Sequence, residues 1–112
     1  MSEYIFEKRF RIPNKFPPDI EKLSQILEET EEETLQFIFE DLKAKLMAPP
    51  IEAEVFLEDS GNIRVVLVLN LIVSPLSPLV SAVDQLAIKI SNFFFNTFQR
   101  KLKGFYNEQK FK

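Results

Sequence analysis

The sequence contains no cysteine, no histidine and no tryptophan, and it has only two glycines among 112 residues. Because catalytic triads use a histidine and thiol enzymes use a cysteine, these enzyme classes are excluded, together with disulfides and the usual zinc sites. The two glycines, Gly61 and Gly104, lie too far apart for a phosphate-binding glycine loop. The remaining composition, 46% hydrophobic and 28% charged, is typical of one globular domain.

The longest stretch without a charge, Val65 to Val83, has nineteen residues, close to the length of a membrane-spanning helix. Its first half is rich in β-branched residues, and Pro75 and Pro78 interrupt the second half. We therefore expect a buried strand followed by a loop, and no contact with a membrane. The N-terminus has no secretion signal, so we expect a cytoplasmic protein.

The first half of the chain predicts one strand and a helical region. Apolar and charged residues alternate from Tyr4 to Ile12, which indicates a half-buried strand ending at Pro13. Asp19 is placed to cap a helix with apolar residues every three or four positions. Thr30 and Glu33 form a candidate capping box for a second helix, which Pro49 and Pro50 would end. Whether residues 19–47 form one helix or two stays open, as does whether the first strand pairs within its own chain.

The second half predicts a hairpin and a long helix. Residues 51–57 alternate between apolar and mainly acidic side chains, and a turn with Gly61 leads into a strand over 63–73. A helix should begin at Ser77 and Pro78 and run to about Leu102, with Gly104 as its C-cap. The predicted fold is α+β: a single layer of about three strands, in the order β-α(α)-β-β-α, with helices packed on one face. Residues 1–103 would form this domain and 104–112 a basic aromatic tail.

Apolar residues exceed what one small layer can hide. The strand over 63–73 is apolar at both sets of alternate positions, so it is buried on both faces or covered on one face by another chain. The final helix carries a second apolar stripe beside its core stripe, although one stripe suffices to cover a sheet. These two features predict a protein interface made by Val66, Val68, Ile72, Ile88, Phe93, Phe95 and Leu102.

The net charge of −3 hides a separation of charge along the chain. Residues 19–42 carry nine acids and one base, and residues 89–112 carry six bases and one acid. This polarity favours a partner of opposite layout, such as a second copy. The acidic run 28–33 lacks the pattern of a calcium loop, and Glu52, Glu54 and Glu58 lack the pocket of an acid–base pair. We therefore predict no metal, no cofactor, no small-molecule ligand and no catalytic residue.

The C-terminal residues interleave bases with aromatic rings, a pattern that can hold single-stranded RNA. A helix end whose rings fold back on the body explains the same residues, and we favour that interpretation. The candidate nucleic-acid contacts are Arg100, Lys101, Lys103, Phe105, Tyr106, Lys110 and Lys112.

The hairpin and final helix, Ile51 to Leu102, together with the acidic helix before them, resemble a small archaeal family whose genes often lie beside that for the prefoldin β subunit. The resemblance rests on the strand with two apolar faces, the Ser-Pro-Leu-Ser-Pro connection and the long helix. The order of elements is also similar to the small dimerising subunit of the KEOPS tRNA-modification complex. Both resemblances imply an archaeal, non-enzymatic, intracellular protein, and the scarcity of cysteine, histidine and methionine suits a thermophile.

Three hypotheses follow from the sequence. The first is an interaction module that forms a homodimer or joins a larger complex through its last helix and the strand over 63–73. The second is an RNA-binding or accessory subunit of a tRNA-modification complex. The third is a small enzyme or ligand carrier with a phenylalanine-lined cavity, for which the sequence supplies no catalytic group.

Overall fold

The computed structural model describes residues 2–13, 19–41, 51–73 and 83–110, with only the backbone described at 2–3, 41, 72–73 and 106–110. The predicted helix end at Pro49 and Pro50, the predicted helix start at Ser77 and Pro78, and the predicted RNA contact Lys112 lie outside these residues.

Three antiparallel strands form one sheet, as predicted. The strands are β1 (Ser2–Ile12), β2 (Ile51–Leu57) and β3 (Ile63–Val73), and their spatial order is β1-β3-β2. The N-terminal strand therefore pairs within its own chain, along the full length of β3. Strand β3, which is apolar on both of its faces, lies at the centre of the sheet. Strands β1 and β2, in which apolar and charged residues alternate, lie at the edges.

The turn between β2 and β3 confirms the predicted hairpin. Gly61 has a φ of 91°, a left-handed conformation that other residues rarely adopt. Its N–H donates to the Glu58 carbonyl at 2.9 Å, and the Glu58 N–H donates to the Asn62 carbonyl at 2.9 Å. The short turn therefore fixes the register that places Leu57 opposite Ile63.

Helix α1 (Ile20–Gln36) is continuous through the position where the capping box predicted a new helix. Its true N-cap is Asp19, as predicted, whose carboxylate accepts from the Lys22 N–H at 2.8 Å. Thr30 caps nothing: it is buried inside the helix, and its hydroxyl donates to the Ile26 carbonyl at 2.7 Å. The capping-box prediction was wrong because this local hydrogen bond satisfies the hydroxyl and leaves the helix intact.

After Gln36, helix α1 widens into a π-helical turn over Phe37–Asp41. Ile38 in this turn is completely buried, whereas Phe39 is half exposed. Such widened turns inside helices occur often at functional sites, and here the turn lies beside the last helix through Phe37.

Helix α2 (Val83–Lys110) is longer than predicted. It passes through Gly104, which we expected to end it, and continues for six more residues. A Cβ atom at Gly104 would meet nothing within 4 Å, so this glycine occupies an open position on the helix surface. The residues predicted as a tail from position 104 are thus part of the helix as far as Lys110.

Both helices cover the same face of the sheet, which confirms the α+β architecture. Helix α1 packs on β2, and α2 packs on β1 and β3, while the two helices also contact each other. The odd-numbered residues of β3 face the helices and form the centre of the core. The fully buried core residues include Leu23, Ile38, Ile63, Leu67, Leu69, Leu71, Ile90 and Phe94.

The uncharged run that starts at Val65 supplies the central strand as far as Val73. Among the helices in the described part of the chain, none combines the length and the apolar character needed to cross a membrane.

Candidate interaction surface

The acidic and basic regions of the sequence meet inside one molecule. Helices α1 and α2 run antiparallel, because Glu29 and Glu33 lie beside Lys101 while Phe37 lies beside Phe93. Glu33 Oε2 is 2.8 Å from Lys101 Nζ, and Glu33 Oε1 is 3.4 Å from the Arg100 guanidinium. The charge separation thus stabilises the packing of the two helices and does not by itself require a partner.

Most of the second apolar stripe of α2 is also used within the chain. Leu102 is 4% exposed and belongs to the core, so it is removed from any surface. Phe95 stacks on Phe10 of β1 at 4.2 Å between ring centroids, and Phe93 stacks on Phe37 at 4.1 Å. The apolar stripe is wide because α2 contacts both the sheet and the neighbouring helix. A helix that contacted the sheet alone would need only one narrow stripe.

Ile88 is the exception among the predicted interface residues of α2. Its side chain is 50% exposed, one turn before the buried Ser91, whose hydroxyl donates to the Ile88 carbonyl at 3.0 Å. A single exposed isoleucine is ordinary for a protein surface, so it does not define an interface.

The open face of the sheet carries the remaining predicted interface residues. Val66 and Val68 are half-buried on this face, at the centre of the sheet, and Ile72 occupies the next position but one toward the end of β3. Ile5 on β1 is 65% exposed on the same face, beside Asn70. Within the described residues, no layer covers the side chains of Val66, Val68 and Ile5.

Charged residues surround the two valines in ordered rows. In the row of Val66, Arg9 lies on β1 and Glu54 on β2; in the row of Val68, the flanking residues are Glu7 and Glu52. Arg9 Nε is 3.2 Å from Glu7 Oε1 along the same strand.

A second group of charges lies at the hairpin end of the open face. Arg11 on β1 reaches across the sheet and donates two hydrogen bonds to the Glu58 carboxylate, at 2.8 and 2.7 Å. This pairing holds the pKa of Glu58 below its ordinary value. Between them, the Arg64 guanidinium lies over the Phe56 ring, 4.8 Å from its centroid.

The acidic run on α1 presents no metal site in the part of the chain that the structure describes. Glu29 and Glu33 pair with Lys101. Burial raises the pKa of Glu31 above its ordinary value, and the nearby Glu28 carboxylate adds to the shift. Part of the acidic run of α1, Glu29 and Glu33, therefore stabilises the contact with α2.

The candidate nucleic-acid residues divide between two sides of α2. Lys101 points toward α1, whereas Arg100 and Lys103 line an open groove of about 540 Å³. Phe105 is half-buried, and Lys22 Nζ lies 5.5 Å from its ring centroid. For Tyr106 and Lys110 the structure describes only the backbone, which continues helix α2.

Two smaller surface grooves lie along the helices. One of about 220 Å³ is lined by Glu33, Gln36, Phe37, Glu40 and Phe93, and one of about 240 Å³ by Lys22, Ile26, Glu29, Lys101, Gly104 and Phe105. Both are open to solvent and have charged walls, unlike the closed apolar cavity that the ligand-carrier hypothesis requires.

Sequence reasoning missed the two stacked phenylalanine pairs and the charged contact between the helices. Each joins residues at least fifty positions apart in sequence, so no local pattern reveals it. The signal that was available is the matching of an acidic helix with a basic one in the same chain.

In the comparisons with known proteins, no family model, curated protein sequence or solved structure matches this chain. The resemblances to the archaeal family and to the KEOPS subunit therefore stay predictions.

Proposed function

We propose that this protein is a non-enzymatic interaction module of the cytoplasm, which associates with a protein partner through the open face of its sheet. The observation that carries the proposal is the pair Val66 and Val68, which lies at the centre of the sheet, on the face opposite the two described helices. In a small domain, burial of such a face by a partner adds apolar area that one layer lacks.

The proposed surface includes fewer residues of the last helix than the surface predicted from the sequence. The sequence predicted joint use of the last helix and β3. Because Phe93, Phe95 and Leu102 pack inside the chain, the proposal now depends on β3.

The experiment is affinity capture of native partners with the full chain and with two variants. Val66→Lys combined with Val68→Lys places two charges on the open face, whereas Ile88→Lys places one on the outside of α2. We expect the double variant to lose its partner and Ile88→Lys to retain it, with both variants folded by circular dichroism. Retention of the partner by the folded double variant would refute the proposal.

A second candidate function is RNA binding, as an accessory subunit in tRNA modification. The observation that favours it is a groove on an exposed face of α2 that combines basic side chains with side-chain amides. The groove is lined by Asn96, Gln99, Arg100, Lys103 and Gly104. Counting against it, Arg100 also lies 3.4 Å from Glu33, and the chain as a whole is acidic.

A salt-dependent gel shift with single-stranded RNA tests this second function. Arg100→Gln combined with Lys103→Gln should weaken binding several-fold, while Lys89→Gln, on the same helix but outside the groove, should not. Equal binding by all three proteins would rule out this groove as the RNA site.

A further inference from the structure

The outer edges of β1 and β2 differ in how they are protected. On β1, Lys8 lies on the side that faces the helices, with its ammonium 5.5 Å from the ring centroid of Phe10. A lysine that points inward on an edge strand obstructs pairing with another strand. On β2 the residues of that side are all apolar, and Ile51, Ala53 and Val55 among them pack on the core. Within the described residues, the edge of β2 therefore lacks this protection.

The hairpin shows which main-chain groups of β2 point outward. The Glu58 N–H donates to the Asn62 carbonyl, and hydrogen-bonded and non-hydrogen-bonded pairs alternate along an antiparallel ladder. The even-numbered residues of β2 therefore bond to β3, whereas Ala53, Val55 and Leu57 direct their N–H and C=O groups to the outer edge. A further antiparallel strand would bond to these three residues and continue the sheet.

Two carboxylates lie along this edge on the open face. Glu52 and Glu54 are exposed, and neither makes a hydrogen bond or an ion pair with another residue that the structure describes. The described bases of the open face are all engaged elsewhere. They are Arg9 beside Glu7, Arg11 bonded to Glu58, and Arg64 over the Phe56 ring. The charges of Glu52 and Glu54 are thus not neutralised within the described chain.

The helix side of the same edge is also acidic. Glu29 and Glu33 of α1 contact Lys101 of α2. Helical spacing then places Glu31 on the opposite side of α1, with Glu28 next to it. Because α1 packs on β2 whereas α2 packs on β1 and β3, this side of α1 lies toward the outer edge of β2. Carboxylates therefore flank the edge on both faces of the sheet.

We propose that the outer edge of β2 binds an extended segment of a protein partner, with lysine or arginine at alternate positions, as a further antiparallel strand. Main-chain groups of Ala53, Val55 and Leu57 hold the segment. Its bases lie opposite Glu52 and Glu54, at the non-hydrogen-bonded positions where side chains of neighbouring strands come closest. Its other side chains are apolar and lie beside Val55 and Leu57, which is 43% exposed. The inference goes beyond the proposed function, because the edge is separate from the two valines of the open face.

The charges favour a basic segment over a second copy of the chain. Two β2 strands side by side would bring Glu52 and Glu54 of one copy against the same residues of the other, and like charges in neighbouring strands repel. Strand β1 of a second copy would bring Lys8 to the inner side and Glu7 to the open face. A nucleic acid is repelled by the same carboxylates.

Fluorescence anisotropy of a labelled peptide with the full chain tests the proposal. The peptide has seven residues, the length of β2, and alternates lysine with valine. We expect a dissociation constant on the order of 100 µM, because the peptide loses conformational entropy on binding. A peptide with glutamate in place of lysine should bind at least about tenfold more weakly, because its charges have the same sign as those of Glu52 and Glu54.

Removal of the two carboxylates tests the site. Glu52→Gln combined with Glu54→Gln should weaken binding of the lysine peptide about three- to tenfold. Glu7→Gln combined with Glu40→Gln is the matched control, because it removes the same charge from exposed residues away from this edge. The control should change the affinity by less than about twofold. Glu52→Lys combined with Glu54→Lys should reverse the preference, so that the glutamate peptide binds better.

Two further changes separate strand addition from simple attraction of charges. In the antiparallel pairing, the valines of the peptide exchange main-chain hydrogen bonds with the outward residues of β2. Methylation of the valine main-chain nitrogens should abolish binding, whereas methylation of the lysine main-chain nitrogens, which point away, should leave the affinity within about threefold. Ala53→Pro removes an outward N–H from an edge strand and should weaken binding about fivefold or more.

Three results would overturn the inference. The first is binding of the lysine peptide by the glutamine double variant as tight as that by the wild-type chain, or no binding at about 1 mM chain. The second is an equal effect of the two methylated peptides, which decides the outcome even if Ala53→Pro fails to fold, because these peptides leave the chain unchanged. The third is a dimer in sedimentation of the chain alone that the glutamine double variant loses, which would assign the edge to a second copy.

Discussion

Val65 and Val66 are neighbours on β3, yet they lie in different environments. Val65 is 1% exposed and packs under the helices, whereas Val66 is only half-buried, between Arg9 and Glu54. The residue type is the same, so the difference comes from the side chains that the neighbouring strands supply on each face. The sequence of an apolar central strand therefore does not show which of its faces is covered. The edge strands show it, because their apolar residues lie mainly on the covered face and their charged residues lie mainly on the open face.

The largest expected difference between the two faces is in stability. Val65→Ala should lower the free energy of unfolding by about 2 to 3 kcal/mol, because it leaves a cavity in the core. Val66→Ala should cost about 0.5 kcal/mol, because water already reaches this side chain. Urea denaturation of each variant beside the wild-type chain measures both values. Equal losses would show that the open face is as tightly packed as the core.

The stacked rings sharpen the comparison on the helix side. Phe10 and Phe95 should show a coupling of about 1 kcal/mol in a double-mutant cycle with leucine at each position. Either substitution alone already removes the stacking, so the second one costs less than it does in the wild-type chain. The same cycle with Ile5 and Phe95 is the control: Ile5 lies on the other face, so its coupling should be near zero. A coupling for Ile5 as large as that for Phe10 would contradict the placement of β1.

Charges should also act differently on the two sides. Lys101→Gln removes a cation near Glu29 and Glu33, and it should lower stability by less than about 1 kcal/mol, since the carboxylates are partly exposed. Arg9→Gln should have almost no effect on the free energy of unfolding, because Arg9 is exposed and its contact is along one strand. Urea titrations at low and high salt measure both effects, and the Lys101 effect should shrink in high salt.

The smallest expected effect is a pH dependence that has opposite signs at two carboxyl groups. Glu58 has a lowered pKa in the folded chain, so its pairing with Arg11 contributes stability above its ordinary pKa and loses it as the pH falls through the lowered value. Glu58→Gln should therefore reduce the loss of stability in acid.

Glu31 is the matched control, because burial raises its pKa. Its protonation favours the folded state, so its contribution is present in acid and is lost as the pH rises through the raised value. Glu31→Gln should make the acid-side loss of stability larger. Thermal melts from neutral pH to about pH 3 measure both variants, and shifts of the same sign would contradict the assignment.

Local sequence rules predicted the elements well where a short segment contains its own signal. The alternation of β1, the Asp19 cap and the Gly61 turn each depend on residues within a few positions, and all are confirmed. The capping box at Thr30 failed although it has the same kind of signal. A buried threonine can satisfy its hydroxyl on the preceding turn, so the burial of that helix face decided the outcome.

The candidate surface was predicted only in part. Val66 and Val68 were identified from the apolar pattern of β3, and they lie on an uncovered face. Most of the second stripe of α2 packs within the chain, which helix periodicity does not show, because it gives the width of an apolar arc and not the number of neighbours that the arc meets. Phe93 and Phe95 face different elements of the same chain, which only the packing of α2 against α1 and β1 reveals.

The sequence by itself determined the absence of thiol and imidazole chemistry, the order of strands and helices, and the alternation that divides each strand into two faces, because these depend on composition and on neighbouring residues. The tertiary structure decided which face the helices cover and where the charges meet. It joined the acidic and basic helices through Glu33 and Lys101, which are more than sixty positions apart in the sequence. Contacts at that separation are selected by packing of the whole chain, so no local pattern specifies them.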